Sequence, residues 1–242
     1  LDASTIANLY SAGAEIGSDP IAYYDFENSS LLGEDISGNG AIHDGMVYGS
    51  IAQDSDSMVG VSSIRMQGDQ NEYIIASDLH SQLDASDELT IAYWAKPTTT
   101  GIDGNARAIL SKRAGYQRNV SYAMFLSSGG QLKVRLDEGN DIPHTINTGY
   151  FFQTAWQHVA MVFDGAASSS TRVKLYVNGT FHSTHTHSTS QIRALKAPLT
   201  IGALNPGYPY SFDGWLDDIR IYRRALSASE SIVKRELGGA DQ

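Results

Sequence analysis

From about residue 20 to residue 222 apolar and polar positions alternate with a period of two, in short runs bounded by turn residues. Gln131-Leu-Lys-Val-Arg-Leu-Asp137 puts Leu132, Val134 and Leu136 on one face and Lys133 and Arg135 on the other. Ser121–Leu126 precedes it, and Gly129-Gly130 suggests a hairpin between the two. Val173–Val177 alternates again and runs into Asn178-Gly179, a pair that tolerates the positive φ angles of a type I′ turn, so Thr180 to about Thr186 is the predicted returning strand. Further strands are expected at 21–26, 63–66, 73–76, 89–96, 156–163, 199–202 and 215–222. Ten or more short strands with turns between them describe a two-sheet antiparallel β-sandwich.

Helical pattern is confined to the two ends. Ser227-Ala-Ser-Glu230 is a capping box that opens a run with Ile232, Val233 and Leu237 on one stripe. Leu1–Tyr10 spaces Ile6, Leu9 and Tyr10 as a short helix would. Leu1-Asp-Ala-Ser-Thr5 reads like Leu226-Ser-Ala-Ser-Glu230, so residues 1–17 are expected to be the tail of a preceding similar repeat, with the main domain at 18–242. Chance similarity of two Ala/Ser-rich caps is the alternative. A start at Leu1, without Met or a signal peptide, reads as a processed or excised chain.

Composition narrows the function. Seventeen Lys and Arg against 27 Asp and Glu leave a net charge of −10 over 242 residues, which disfavours a nucleic-acid surface. No apolar run is long enough to span a bilayer. The absence of Cys removes disulfides, thiolate metal sites and cysteine nucleophiles.

Six segments in order carry a resemblance: Tyr24-Asp-Phe-Glu-Asn28, Asp35-Ile-Ser-Gly-Asn-Gly40, Leu89–Pro97, Trp156–Gly165, Lys174–Gly179 and Phe212–Leu226. Together, over about residues 20–237, they resemble a bacterial laminin G-like domain of the concanavalin A-like lectin/glucanase superfamily. The resemblance implies a jelly roll. It also implies a setting like that of modules in secreted or cell-surface multidomain proteins, among them polysaccharide-active enzymes and adhesins. Within it, Trp94 and Trp156 are expected in the core, with Trp215 near the sheet rim.

The same resemblance directs attention to Asp217. Strict alternation in Trp215–Tyr222 puts Asp217 on one face with Trp215, Ile219 and Ile221, and a carboxylate on an apolar face demands a cation or many donors. A structural calcium, which takes six to eight oxygens, is expected to join Asp217 to Asp35 and Asn39 of the Asp35–Gly40 turn, with Asp25 or Glu27. An ion pair of Asp217 with Arg65, Arg220 or Arg223 is the alternative. His182, His185 and His187 are read as solvated strand residues, because a regular strand would point His182 away from the other two.

Catalysis is not expected. The eight glutamates include no closely spaced carboxylate run on one strand, as retaining hydrolysis needs, and neither a lyase Tyr/His pattern nor a Gly-x-Ser-x-Gly elbow occurs. Candidate ligand contacts are Tyr208 and Tyr210 of Asn205–Tyr210, and Arg113, Tyr116 and Arg118 of Lys112–Arg118, a cationic and aromatic mixture suited to acidic polysaccharide. The expected function is therefore a non-catalytic, calcium-stabilised carbohydrate-binding module of a secreted or surface protein. Its partners would be a polysaccharide or glycan and neighbouring repeats of the same chain. The rivals are an adhesion domain that binds a protein, and a lyase or hydrolase with an unrecognised site.

Overall fold

A computed structural model describes residues 20–230, apart from 40, 69, 79–80, 100–104, 116–118, 139–142, 209 and 229. The expected N-terminal helix, and the C-terminal run after the capping box, lie outside the described residues. Fifteen strands are described: β1 (Ala22–Tyr24), β2 (Gly45–Tyr48), β3 (Ala52–Asp54), β4 (Ser63–Gln67), β5 (Tyr73–Ala76), β6 (Glu88–Pro97), β7 (Arg107–Arg113), β8 (Val120–Leu126), β9 (Gln131–Asp137), β10 (Pro143–Phe151), β11 (Gln157–Asp164), β12 (Val173–Val177), β13 (Thr180–His185), β14 (Leu199–Ile201) and β15 (Asp213–Tyr222). Two short 3₁₀ turns, Ala41–His43 and Ser169–Thr171, accompany them.

The strands form two antiparallel sheets. One runs β13-β12-β11-β6-β15-β4-β3, with β1 added along part of β15, and the other runs β10-β9-β8-β7-β14-β5-β2. Alternation explains the sandwich. Leu132, Val134 and Leu136 of β9 enter the shared core, where they meet Ile91 and Tyr93 of β6 and Met161 and Phe163 of β11. The turn at Asn178-Gly179 forms as predicted, with φ of 49° and 73°. At the C-terminal end Ser227 and Glu230 exchange hydrogen bonds, amide to Oε2 at 2.8 Å and amide to Oγ at 3.3 Å.

Four strands, β2, β3, β7 and β10, go beyond the predicted set. All seven residues of β7 are buried, so its sequence shows no period, and bulges break its pairing with β8. Such a strand is covered on both faces. The covering on its outer side is a second small cluster of Ala108, Val120, Ala123, Phe125 and Leu204, with Tyr208 packed on it.

The largest departure from strict alternation is in β15. Asp217 pairs with Trp94 and Arg220 with Ala92, so Asp218 and Ile219 together oppose Tyr93. Asp218 occupies the bulge at φ 50°, a left-handed conformation that Asp tolerates better than most residues. The extra residue reverses the phase. Leu216, Ile219 and Ile221 all enter the core, whereas Trp215 lies outside, with Arg65 and Lys96 4.5 and 4.7 Å from its ring centroid. Asp217 therefore keeps the outward parity of Trp215 and does not share a face with Ile219 and Ile221.

Candidate functional site

The segment after β3 folds back across the outer face of the larger sheet as a strap. Asp56 anchors it: one carboxylate oxygen accepts Trp156 Nε1 at 2.7 Å, and the other receives Lys96 Nζ. Trp156 is thus half-buried under the strap, outside the core, and Trp94 is buried on the outer side of its sheet beside His158, 5.3 Å between rings. Two more carboxylates hold the strap's backbone. Asp217 Oδ2 accepts the amides of Met58 and Val59 at 2.8 and 2.9 Å, and Glu27 Oε1 accepts those of Val61 and Ser62 at 3.0 Å each. Asp217 Oδ1 is buried and receives no hydrogen bond. Burial pushes the Asp217 carboxyl up to about 7, against the two amide hydrogen bonds that favour its charged form. Asp25, beside Glu27 in sequence, accepts the Glu27 amide at 3.2 Å, and its carboxyl is also raised by burial.

The five expected calcium ligands fall into two hydrogen-bond networks that share no residue. Asp217 and Glu27 each hold a different pair of strap amides. Asp35 and Asn39 belong to the turn packed on β1: Asp35 Oδ1 accepts the amides of Tyr23 and Ser37 at 2.9 and 3.0 Å, and Oδ2 faces His43 Nδ1 at 3.3 Å. Asn39 donates to the Ile21 carbonyl at 3.2 Å and to Ser37 Oγ at 3.0 Å. The expected convergence of turn and last strand on one ion is corrected accordingly: among the described residues no three His, Asp or Glu side chains are gathered for a metal. The chemistry of the strap still suits a hard cation. Asp217 Oδ1 is a buried acceptor without a donor, and Glu27 brings a second carboxylate to the same loop.

Among the described residues the expected Lys112–Arg118 contacts do not form an exposed cationic surface. Arg113 is 1 % exposed and donates from Nε to the Gly115 carbonyl at 2.7 Å. Lys112 is fully buried, 2.9 Å from Asp78 and 2.7 Å from Asp84, so its charge is compensated inside the end of the sandwich. Tyr116 and Arg118 lie outside the described residues. Tyr208 and Tyr210 are half-buried, their rings edge-to-face at 5.5 Å, and Arg107 lies 5.6 Å from the Tyr210 centroid. Their loop closes over part of the outer face of the smaller sheet, where Ser111 Oγ donates to the Leu204 carbonyl at 2.6 Å.

The histidines also depart from a regular strand. A bulge in β13 at the Leu175/Tyr176 register brings His182 Nδ1 and His185 Nε2 to Ser183 Oγ at 3.0 and 2.8 Å. His187 is buried with its ring edge-on to Phe163, 5.1 Å between centroids.

Sheet order, a packed inner core and loops strapped over both outer faces define a lectin-like jelly-roll sandwich. A family model described as the concanavalin A-like lectin/glucanase superfamily, laminin G type, matches residues 68–230, and the chain belongs to that family. Among solved structures it is similar to domain 4 of an extracellular GH43 arabinanase from Geobacillus stearothermophilus in complex with arabinotriose, at 21 % identity and a TM-score of 0.66, covering 90 % of this chain and 98 % of that one. It is also similar to the receptor-binding domain of botulinum neurotoxin type G, at 16 % identity and a TM-score of 0.65, covering 91 % of this chain. The binding domain of botulinum neurotoxin DC, in complex with rat synaptotagmin II, is similar at 13 % identity and a TM-score of 0.66, covering 90 %. The chain spans 51 % of the length of each neurotoxin domain. These likenesses concern the fold. No curated protein matches the chain, and no helix among the described residues is long and apolar enough to cross a membrane.

Proposed function

We propose that this domain is a non-catalytic carbohydrate-binding module of a secreted or surface protein, stabilised by calcium. The observation that carries the reading is the end-to-end correspondence with an arabinanase domain solved with arabinotriose, which covers nearly all of both chains. The carboxylates support a binding role over hydrolysis: the adjacent pair Asp217 and Asp218 diverge, one holding the strap and the other pairing with Arg220 at 2.7 Å.

Calcium would be held by Asp217 with backbone carbonyls and water, and its charge would offset the cost of an ionised buried carboxylate. The strap, and not a substrate, is what such an ion would hold. A calcium requirement would suit an extracellular setting.

Affinity electrophoresis through gels that contain neutral or acidic polysaccharides, in calcium and then in EDTA, tests the reading. Retardation by a polymer supports a binding module. Migration unaffected by every polymer, with a protein captured instead, would move the assignment to the second reading, an adhesion domain, which the similarity to a synaptotagmin-bound neurotoxin domain favours.

A further inference from the structure

The chain that leaves β13 is fastened to its neighbours through one buried imidazole. His187, just past the end of β13 at His185, is fully buried. Its amide donates to the Ser169 carbonyl at 2.9 Å, and its ring stands edge-on to Phe163 of the core. Nδ1 lies 2.9 Å from the Thr189 carbonyl. A carbonyl only accepts, so Nδ1 carries the proton and Nε2 does not. Nε2 is itself buried and meets no hydrogen-bond partner. The site therefore fits the ring in one neutral tautomer.

Glu138, His144 and Arg172 are the charged or titratable groups that act on this ring. Glu138, following β9, accepts the Ser188 amide at 2.9 Å and lies 3.4 Å from His144 Nδ1. The His144 ring of β10 is 6.4 Å from that of His187. Arg172 donates from Nη1 to the His187 and Ser188 carbonyls at 3.0 and 2.8 Å. Burial lowers the His187 imidazole from its ordinary 6.5. The Thr189 carbonyl and Glu138 favour its charged form, and His144 and Arg172 oppose it.

Beyond His187 the chain lies along the edge of the sandwich. The Ile192 amide donates to the Ser86 carbonyl at 2.6 Å and the Arg193 amide to the Asp137 carbonyl at 3.3 Å. Thr189, Gln191 and Arg193 wall a cleft of about 300 Å³ with Ser86 and Glu138.

We infer that His187 is an acid-sensitive latch: a proton arriving at Nε2 buries a charge that has no acceptor there, the ring leaves Phe163, and Ser188–Arg193 is released from the edge of the sandwich and from its cleft. The device needs no ligand and stands apart from the carbohydrate-binding reading. Its sign follows from linkage. The released ring takes a proton near 6.5 and the buried ring only at lower pH, so acid favours the open form.

Amide hydrogen exchange of the ¹⁵N-labelled protein, corrected for the intrinsic rate at each pH, tests the latch. Protection of the His187 and Ile192 amides should fall at least about fivefold from about pH 7 to about pH 5, with the core amides of β6 and β11 still protected. Imidazole ¹⁵N shifts should report the Nδ1–H tautomer at neutral pH and a titration below 6.5. His187→Gln, neutral at every pH, should lose the dependence whatever its overall stability. His144→Gln removes an opposing charge and should move the transition to higher pH. Protection that is flat across this range, or that falls equally in His187→Gln, overturns the latch. So does release only below 4.5 in both proteins, which would assign it to Glu138. Core amides that lose protection in step would show global unfolding and overturn it as well.

Discussion

The carboxylate of Asp217 accepts the backbone amide of Val59, 158 positions earlier in the chain, at 2.9 Å. That bond, with its companion at Met58, ties the strap to the strand that carries the bulge. Asp217→Ala would leave two amides without their acceptor, at about 1–3 kcal/mol each. Asp217→Asn keeps an oxygen for them and should cost less. Urea unfolding in EDTA should place both wild type and Asn above Ala, and added calcium should stabilise only the wild type.

The titration of Asp217 gives a pH signature. Its folded carboxyl sits at about 7, above its ordinary value of 3.8, so the folded state holds a proton that the unfolded state has released. In calcium-free protein, stability should therefore fall as pH rises from about 4 to about 7 and level off above. The full effect is about 4 kcal/mol, at about 1.4 per pH unit. Asp35 acts in the opposite sense and at lower pH. Burial raises its carboxyl, but His43 and the backbone amides outweigh that and lower it, so its contribution is lost only as pH falls below about 4. Thermal melts from pH 4 to 8 should slope downward more steeply for the wild type than for Asp217→Asn.

Gly60 offers an independent handle on the strap. Its φ is 63°, and a β-carbon there would stand 2.3 Å from Glu27 Oε1. Gly60→Ala should displace Glu27 from the Val61 and Ser62 amides and weaken calcium stabilisation with Asp217 untouched. Calcium-dependent thermal shift of this variant measures the contribution of Glu27 apart from that of Asp217.

Lys112 is predicted to be structural. Removing it by Lys112→Met would strand Asp78 and Asp84, both buried, and breaking such a pair typically costs about 3–5 kcal/mol. A surface lysine would cost less than about 0.5 kcal/mol. Urea unfolding separates the two without any ligand.

The fold was legible where one face of a strand is wet. β9 and the Asn178-Gly179 turn follow from alternation and from the φ angles the turn demands. β7 was not, because a strand covered on both sides has no polar phase to read. Lys112 and Arg113 looked like an exposed cationic cluster for the same reason: their compensating partners, Asp78, Asp84 and the Gly115 carbonyl, come together only in the fold. Asp217 was singled out correctly as an unusual carboxylate, yet its face was misplaced by one inserted residue, since a bulge reverses every side chain beyond it. Asp56 anchors the strap through Lys96 and Trp156. Nothing local in Asp54-Ser-Asp56 marks those partners, which lie 40 and 100 positions away. Arg220 donates to Tyr23 Oη, 197 positions away, a contact that exists only once β1 is laid against β15.

The central claim is that this domain binds a polysaccharide without cleaving it. Incubation with soluble arabinan and a panel of other neutral polymers in calcium, followed by separation of bound from free protein and chain-length analysis of the polymer, tests it directly. The account predicts retention on at least one neutral polymer, with its length distribution unchanged and no reducing ends or unsaturated ends released. Chain shortening would contradict it in favour of a hydrolase or lyase, and failure to be retained on any polymer would contradict carbohydrate binding itself.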